Sequence, residues 1–300
     1  MSQMFYSSKK VSIIIPTFHD WDRLAVCLSA LSKQTLSRDQ FEIIVANNDP
    51  TDKTPAGFIF PSNCSIIEVA APGSYAARNA AISVSNGEII GFTDSDCIPE
   101  VDWIANACNF FAGNPQISRI AGHIDLFFQG DRLLPAEVYE KVYAFKQDLV
   151  VERLNSSVTG NMFSYKKVFD DVGQFNESLF SGGDHEWARR AQAKGFNVAY
   201  SPEVRVKHPA RHKMSELVKK SRRVGGGRAG MRRSSRLKAS AKVLWALIPR
   251  LNEIYYYLNR YGNDLPSKQK VQVIAIKTYL DFVERLEEFK FAFGKTAERG

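Results

Sequence analysis

Four short apolar runs of strand character lie within the first hundred residues, and they constrain the fold more than any other feature. Residues 11–16 form a continuous β-branched run closed by a proline, which is typical of a parallel strand buried on both faces. The later strand candidates and the two segments of helical character are residues 22–34, 41–46, 65–69, 74–85 and 89–93. Their order along the chain is β-α-β-β-α-β, which predicts an α/β fold with a mostly parallel sheet and crossover helices.

Polar residues follow three of these strands at the points where the strands end. In parallel sheets of this kind, ligands bind at the carboxyl ends of the strands. The residues at those ends are Pro16 and Thr17, then Asn47, Asn48 and Asp49, and finally Asp94, Ser95 and Asp96. The sequence therefore predicts a ligand site built from these three loops.

The third of these loops contains two aspartates with one serine between them. In an extended backbone, Asp94 and Asp96 project to the same side. Two adjacent carboxylates repel each other unless a cation lies between them, and their hard oxygen ligands suit Mg²⁺ or Mn²⁺. A pair of solvated loop carboxylates is the alternative, and an isolated Asp-x-Asp does not decide between the two.

Length and composition are those of an ordinary globular protein. The 300 residues suffice for one large α/β domain with an appendage or for two modest domains, and a hydrophobic fraction of 44% excludes disorder across the whole chain. The four cysteines lack zinc spacing, which favours free thiols in a reducing compartment. The N-terminus lacks a signal-peptide pattern, and no apolar run is long enough to span a bilayer. We therefore expect a cytoplasmic protein, soluble or peripheral on the inner face of the plasma membrane.

Positive charge is concentrated in one segment of the chain. The formal net charge is +8, while residues 213–240 alone hold ten Lys or Arg and a single acid, Glu216. The rest of the chain is nearly neutral, so this segment predicts one anionic partner at one place. A glycine triplet at residues 225–227 lies inside the basic segment and is expected to act as a hinge. Two amphipathic helices are expected at residues 243–258 and 271–293.

Four short motifs occur in a fixed order along the chain. They are Val-Ser-Ile-Ile-Ile-Pro-Thr from Val11, Ser-Tyr-Ala-Ala-Arg-Asn-Ala from Ser74, Phe-Thr-Asp-Ser-Asp from Phe92 and Gly-Gly-Asp-His-Glu-Trp from Gly182. In this order and at this spacing they resemble glycosyltransferase family 2, the inverting nucleotide-sugar transferases with the A-type, Rossmann-like fold.

The resemblance covers roughly residues 10–210 and implies a domain organisation. We expect a catalytic domain at residues 1–212, followed by a basic, helical C-terminal extension at residues 213–300. Within the catalytic domain, the nucleotide-sugar half is expected at about residues 10–105 and the acceptor half at residues 106–212.

The resemblance also assigns the donor side of the site. It implies that Asp96 binds a divalent metal, Mn²⁺ or Mg²⁺, that bridges the diphosphate of a nucleotide sugar, and that Asp94 faces the ribose or assists the metal. The residues implied for nucleotide binding are Pro16, Thr17, Asn47, Asn48, Asp49, Arg78, Asp94 and Ser95. The family usually has an aspartate where Asn47 stands, so the base is left open. Plain turn residues, at Asn48 and Asp49, and a surface helix arginine, at Arg78, are the alternatives.

The acceptor side of the site is assigned to the Gly-Asp-His-Glu motif. An inverting transfer needs one carboxylate to deprotonate the acceptor hydroxyl, and the register of the resemblance gives that role to Asp184, with Glu186 as the second candidate. Gly183 replaces the glutamate that the family usually carries, and helix N-terminal capping is the alternative role for the two acids. The resemblance also allows His208 to complete the metal shell, and a surface histidine in a basic loop is its alternative.

Several roles are open for the basic segment. It would close over the donor diphosphate as a lid, bind an anionic membrane surface or a lipid-diphosphate acceptor, or form a solvated helix face. The arginines considered for the lid or membrane patch are Arg222, Arg223, Arg228, Arg232 and Arg233. Nucleic acid is not an expected partner, because no aromatic residues interleave with the basic run. The C-terminal helices are expected to pack on the catalytic domain, to form a homodimer or to lie at a membrane interface.

Together these observations predict a metal-dependent inverting glycosyltransferase. We expect transfer from a UDP- or GDP-linked sugar to a hydroxyl of a glycan, lipid-linked or protein acceptor, in bacterial surface polysaccharide assembly. One alternative is a nucleotidyltransferase, although Phe18-His19-Asp20 stands where such enzymes have a glycine-rich phosphate loop. The other is a catalytically inactive scaffold that binds partners through its basic tail.

Overall fold

The computed structural model describes residues 11–231 and 236–293. The chain divides into two compact units whose segments alternate along the sequence. The first unit extends to Asp125 and also contains Lys146–Glu177 and Gly183–His208. The second contains Leu126–Phe145, Ser178–Gly182 and the described residues from Pro209 onward. The predicted boundary at residue 212 lies close to the last of these junctions.

An eight-stranded sheet forms the core of the first unit. The strands are β1 (Val11–Thr17), β2 (Phe41–Asn47), β3 (Cys64–Glu68), β4 (Ile89–Thr93), β5 (Ile98–Pro99), β6 (Arg119–Phe127), β7 (Asn161–Tyr165) and β8 (Val198–Pro209). Their order in the sheet is β3-β2-β1-β4-β7-β6-β8-β5. The α/β, Rossmann-like fold class predicted from the sequence is confirmed, with the four predicted strands as neighbours in the parallel half.

The parallel half of the sheet consists of β3, β2, β1 and β4. Val11 at the start of β1 is level with Phe41 of β2 and Ile89 of β4, and Thr17 at the end of β1 is level with Asn47. The apolar side chains of β1 and β4 are almost fully buried, as continuous apolar runs predict for strands covered on both faces. The carboxyl ends of these strands therefore meet at one edge of the sheet.

The other half of the sheet is antiparallel at three pairings. β7 is antiparallel to both β4 and β6, and β5 is antiparallel to β8. The buried side chain of Asn161 joins this half, since it accepts a hydrogen bond from Trp103 Nε1 at 2.9 Å and donates to the carbonyls of His123 and Val204 at 2.8 Å. Gly122 lies against that amide, so a larger residue there would collide with it.

Eleven helices are assigned among the described residues. They are α1 (Trp21–Leu31), α2 (Ser74–Val84), α3 (Trp103–Gly113), α4 (Pro135–Tyr143), α5 (Gln147–Leu154), α6 (Lys166–Val172), α7 (Gly183–Ala193), α8 (Met214–Met231), α9 (Arg236–Trp245), α10 (Leu251–Tyr261) and α11 (Ser267–Ala292). The single helix expected at residues 243–258 is instead divided between α9 and α10. Pro249 lies in the break, where its ring and missing N–H oppose a continuous helix.

Apolar side chains of α4, α10 and α11 form the core of the second unit. Val138 and Val142 of α4 are buried with Ile254 and Leu258 of α10 and Val273 of α11. A second cluster in the same unit joins Ala136, Leu217, Ile276 and Leu280. The helix α4 therefore belongs to the core of the C-terminal helices, although it lies more than a hundred residues earlier in the chain.

A buried carboxylate also joins α4 to α8. Glu140 has no exposed side-chain area, and its oxygens lie 3.2 Å from Arg211 Nη1 and 3.3 Å from Lys220 Nζ. The backbone N–H of Arg211 donates to the same carboxylate at 3.1 Å. Burial would raise the pKa of Glu140, but the two cations and these hydrogen bonds outweigh it and lower that pKa.

The glycine triplet lies inside α8 and does not form the expected hinge. A Cβ at Gly225 would lie 2.5 Å from the carbonyl oxygen of Glu284 in α11, and one at Gly227 would collide with the carbonyl of Ser181. Three glycines cost a helix about 1 kcal/mol each relative to alanine, so the close approach of α11 and the 178–182 segment explains their presence.

Among the helices that the structure describes, none combines the length and hydropathy needed to cross a bilayer.

Candidate active site

The two aspartates after β4 lie in a turn and not in an extended strand. The backbone N–H of Cys97 donates to the carbonyl of Asp94 at 3.1 Å, and β4 has already ended at Thr93. Because side chains alternate only in an extended backbone, the expectation that places both carboxylates on one side does not apply here. The turn gives Asp94 and Asp96 different partners.

Asp94 is paired with a buried arginine. Arg78 on α2 is 3% exposed, and its Nη2 lies 2.5 Å from Asp94 Oδ1. Its Nη1 also donates to the carbonyl of Ser74 at 3.3 Å, which fixes the guanidinium against the start of α2. The other carboxylate oxygen of Asp94 has no hydrogen-bond partner among the described residues. Arg78 therefore fixes one oxygen of Asp94 and leaves the other available.

Asp96 lies between an imidazole and a guanidinium. His208 Nε2 is 3.6 Å from Asp96 Oδ1, and Arg23 Nη1 is 3.5 Å from Asp96 Oδ2. Burial raises the pKa of Asp96, and the nearby Asp94 adds to this, while His208 and Arg23 oppose it. An added cation would therefore stabilise the charged form of Asp96.

The residues around Asp96 fit a divalent cation. Donor atoms of Asp96, Cys97 and His208 all lie within 4.8 Å of one another. A carboxylate with a neutral imidazole suits Mn²⁺. The Cys97 thiol is fully buried, which raises its pKa well above the usual value, and it donates to the carbonyl of Gly160 at 3.8 Å. Asp96 and His208 are therefore the fitting ligands, and Cys97 is a neutral neighbour that the sequence did not point to.

The amide side chains after β2 hold the backbone of their own loops. Asn47 donates to the carbonyl of Asp52 at 2.8 Å and accepts from the N–H of Asp49 at 3.2 Å. Asn48 donates to the carbonyl of Ala71 at 2.6 Å and accepts from the N–H of Gly73 at 2.8 Å. These bonds fix the backbone that leads into α2, the helix that carries Arg78.

A histidine without a predicted role lies at the same edge. His19 has a φ of 52°, in the left-handed region, and its Nε2 lies 2.9 Å from Asp49 Oδ2. Its Nδ1 lies 3.4 Å from Asp52 Oδ2. Hydrogen bonds from Thr51, followed by the one from His19, lower the pKa of Asp49 to about 2. Its position two residues after the end of β1 is the sequence signal that would have pointed to His19.

The remaining residues predicted at the strand ends have structural partners or are buried. Ser95 Oγ donates to Asp20 Oδ2 at 2.8 Å, and Asp20 Oδ1 lies 2.6 Å from Arg23 Nε. Thr17 is buried at the end of β1, and its hydroxyl has no hydrogen-bond partner among the described residues. Pro16 precedes it as the half-buried penultimate residue of the strand.

Asp184 lies at the first turn of α7 and is mostly buried. Its Oδ1 accepts hydrogen bonds from Tyr75 OH at 3.3 Å and from the N–H of His185 at 2.9 Å. Its Oδ2 has no hydrogen-bond partner among the residues that the structure describes. The Tyr75 ring packs against Gly183, where a Cβ would lie 2.7 Å from a ring carbon. This contact explains why glycine precedes Asp184.

Glu186 is engaged by a neighbouring arginine. Arg190, one turn later on α7, lies 2.9 Å and 3.1 Å from its two oxygens. The same guanidinium donates to the carbonyls of Val172 and Gln174 at 2.7 Å. Glu186 therefore orients Arg190, whose hydrogen bonds hold α7 against the segment that precedes it. Of the two acids predicted for catalysis, only Asp184 keeps an oxygen without a partner in the described part of the chain.

The predicted basic patch is only partly within the described residues. Arg222 and Arg223 are exposed on α8, and Arg228 pairs with Glu284 of α11. Arg232 and Arg233 lie outside the described residues.

In a Rossmann-like sheet, ligands bind at the carboxyl edge of the strands, and this chain carries acidic side chains there. The chain belongs to glycosyl transferase family 2, whose family model matches residues 12–173, more than half of its length.

A curated relative covers most of the chain. Glycosyltransferase AglE of Haloferax volcanii is 30% identical over 278 residues, which span 89% of this chain and 90% of the relative. A glucuronosyltransferase of Methanococcus voltae, named for a dolichyl phosphate-linked N-acetylglucosamine, is 20% identical over 78% of this chain and 76% of its own. The predicted family is confirmed, and the nucleotidyltransferase alternative is disfavoured.

Solved structures show the same fold. The mannosyltransferase PcManGT of Pyrobaculum calidifontis, in complex with GDP-Man and Mn²⁺, superposes with a TM-score of 0.60 over 95% of this chain and 87% of its own, at 16% identity. TarS of S. aureus superposes with a TM-score of 0.51 over 94% of this chain and 54% of its own. At this identity the likeness defines the A-type glycosyltransferase fold.

Proposed function

We propose that this glycosyltransferase is an inverting enzyme that moves a sugar from a UDP- or GDP-linked donor to an acceptor hydroxyl. The observation that carries the proposal is the division of the acids between two environments. Asp96 is grouped with His208 in a setting that favours a cation, while Asp184 keeps one oxygen without a partner among the described residues. In a metal-dependent inverting transfer, one acid would hold the metal and another would act as the base.

Asp184 is the proposed general base. Its Oδ1 is fixed by Tyr75 OH and by the N–H of His185, so Oδ2 is oriented to accept the proton of the acceptor hydroxyl. As that proton leaves, the acceptor oxygen forms a bond to the anomeric carbon, and the bond from that carbon to the diphosphate breaks on the opposite face. Asp184 lies in the first turn of α7, where the helix dipole attracts negative charge.

The donor side is proposed to hold a divalent metal, Mn²⁺ or Mg²⁺, on Asp96 and His208, with Asp94 assisting through its available oxygen. When bound, such a metal neutralises the charge of the leaving nucleoside diphosphate. Arg78 holds the other oxygen of Asp94 in place. The complex of the structural neighbour with GDP-Man and Mn²⁺ supports this assignment. The strand-end residues Pro16, Thr17, Asn47, Asn48, Asp49 and Ser95 are the proposed surroundings of the nucleoside.

A lipid-linked glycan is the acceptor to test first, because one relative is named for a dolichyl phosphate-linked sugar. Glycan and protein acceptors remain in the proposal. A role in bacterial surface polysaccharide assembly, a peripheral position at the membrane and a homodimer through the C-terminal helices stay predictions.

The test is a panel of nucleotide sugars with and without Mn²⁺. One donor is expected to raise the melting temperature and to be hydrolysed slowly, and NMR of the transfer product should show an inverted anomeric configuration. Retained configuration would contradict the assignment of a single base. If no nucleotide sugar stabilises the protein, the inactive scaffold is the better description.

The base is tested by Asp184→Asn. Turnover should fall by about 10²- to 10⁴-fold, the contribution of a positioned general base, while the thermal shift with donor is retained. Glu186→Gln is the matched comparison, because it removes an acid from the same helix turn that Arg190 already engages. It should lower stability through Arg190 and leave most of the turnover. Equal loss in both variants would remove Asp184 as the base.

A further inference from the structure

A cluster of large apolar side chains is exposed where α9 ends and α10 begins. Its members are Leu244, Trp245, Leu247, Ile248, Leu251 and Tyr255, and we call them the α9–α10 apolar surface. Each is between 57% and 71% exposed. Exposed apolar residues are ordinary when scattered singly, but six within twelve residues form a patch of the kind that binds a partner.

The patch continues into an apolar groove along α11. Val271, which is 64% exposed, and Tyr279, which is 49% exposed, line this groove together with Leu247. The groove has a volume of about 440 Å³. The connection between α9 and α10 and the exposed face of α11 therefore line one apolar groove in the second unit.

The sequence around this surface is strongly basic. Residues 209–300 contain 21 Lys or Arg and eight Asp or Glu, a net charge of +13 in a chain whose total is +8. No acid occurs between Glu216 and Glu253, a stretch with eleven cations. Some of these are paired, such as Lys242 with Glu288. Lys219 and Arg222 are exposed and form no ion pair within the described part of the chain.

The exposed apolar side chains and the positive charge together indicate which partner binds the α9–α10 apolar surface. A second copy of the chain would bring a second segment of charge +13 to the same place, so like-charge repulsion opposes self-association. A bilayer with anionic lipid satisfies both properties at once, since acyl chains accept the apolar side chains and headgroups attract the cations. Trp245 and Tyr255 are also the side-chain types enriched at the membrane–water boundary.

We propose that the α9–α10 apolar surface inserts into the interface of an anionic bilayer, with the surrounding cations on its headgroups. This inference rests on the exposed residues of the second unit and not on the proposed chemistry, so a failure of either leaves the other standing. It assigns a partner class to residues that have no part in the candidate active site.

The test uses the full chain and the fluorescence of its tryptophans. Trp21, Trp103 and Trp187 are at most 8% exposed, whereas Trp245 is 71% exposed, so an added surface acts mainly on Trp245. Vesicles of phosphatidylcholine with roughly a third phosphatidylglycerol should bind the protein, and brominated acyl chains should quench the Trp245 emission. Absence of quenching would overturn the proposal.

The triple variant Trp245→Ala, Leu247→Ala and Ile248→Ser should lower vesicle partitioning at least about tenfold. Ile59→Ala removes an 85% exposed side chain from the first unit and should leave it unchanged. Donor hydrolysis in solution should be the same in both. Unaltered partitioning of the triple variant would show attraction by charge alone and refute insertion. Lipid-free dimers that the triple variant abolishes would show a second copy as the occupant and also refute it.

Discussion

At the residue scale, the candidate base is held by one aromatic side chain. Tyr75 donates to Asp184 Oδ1, accepts from the N–H of Asp184 and packs its ring against Gly183. The absence of a side chain at residue 183 is therefore what allows the ring and its hydroxyl to reach the carboxylate. The orientation of the free Asp184 oxygen depends on this contact.

Gly183→Ala is expected to disturb this arrangement. The new Cβ would lie 2.7 Å from the buried Tyr75 ring, and overpacking of this kind costs about 1–3 kcal/mol. Turnover should fall more than stability, because the displaced group holds Asp184. Chemical denaturation and steady-state kinetics measure the two effects. Gly113→Ala is the control, since a Cβ there meets no atom within 4 Å, and a similar loss in both variants would contradict this explanation.

The sequence predicted which side chains lie near the carboxyl edge of the sheet better than it predicted their partners. Asp94, Asp96 and His208 were identified from strand ends and motif register, and the structure places Asp96 beside His208. The pairing of Arg78 with Asp94 depends on the turn after β4. The sequence predicted an extended backbone there, so it did not predict this ion pair. Cys97 was missed because a buried thiol next to a carboxylate carries no sequence signal of its own.

At the scale of elements, α8 shows how tertiary packing outweighs helix propensity. Its glycine triplet predicts a hinge from local chemistry alone, yet the helix continues through it because α11 and the 178–182 segment approach too closely for side chains. Similarly, the strands of the parallel half were predictable from their apolar runs. The break between α9 and α10 is predicted only when the effect of Pro249 on a helix is taken into account.

Gly227→Ala is expected to destabilise the protein although alanine is the better helix former. The Cβ would collide with the backbone carbonyl of Ser181, which a side-chain movement does not relieve, so we expect a loss of about 1–3 kcal/mol. Gly230→Ala is the matched control in the same helix, because its nearest neighbour, Leu179, would lie at an ordinary 3.5 Å. The control should gain up to about 1 kcal/mol in thermal or urea unfolding. Stabilisation by both substitutions would refute the packing argument.

The buried Glu140 predicts a specific pH dependence. Its folded-state pKa lies below the unfolded value of about 4.3, so its contribution to stability is present above that pH and is lost as the pH falls through the folded-state pKa. Glu140→Gln should cost about 3 kcal/mol at pH 7, because Arg211 and Lys220 then lose their partner. Urea unfolding between pH 7 and pH 3 should show a smaller acid-induced loss in the variant. A parallel pH profile would contradict the role of this cluster.

At the scale of the whole molecule, the chain passes between its two units five times. The α4 helix lies within the first half of the sequence, yet its apolar face is covered by α10 and α11. The C-terminal segment therefore completes a core that an earlier part of the chain begins, in addition to any role at a membrane.

A chain shortened to end at residue 212 is expected to misfold. It would expose Val138 and Val142, whose burial contributes about 1.5–3 kcal/mol each, and would leave Glu140 without Lys220. Size-exclusion chromatography and binding of a hydrophobic dye should show aggregation and exposed apolar surface. Supplying residues 213–300 as a separate chain should reduce both. A monodisperse shortened chain with native-like unfolding would show that the first part is independent.

The position of α4 also has a consequence for biosynthesis. The helix leaves the ribosome about a hundred residues before α10, so its apolar face has no partner during much of translation. Chaperones that shield nascent chains would protect it over this interval, and a ribosome that stalls after β8 would release an aggregation-prone product. The yield of active protein should therefore depend on uninterrupted translation of the last third of the mRNA.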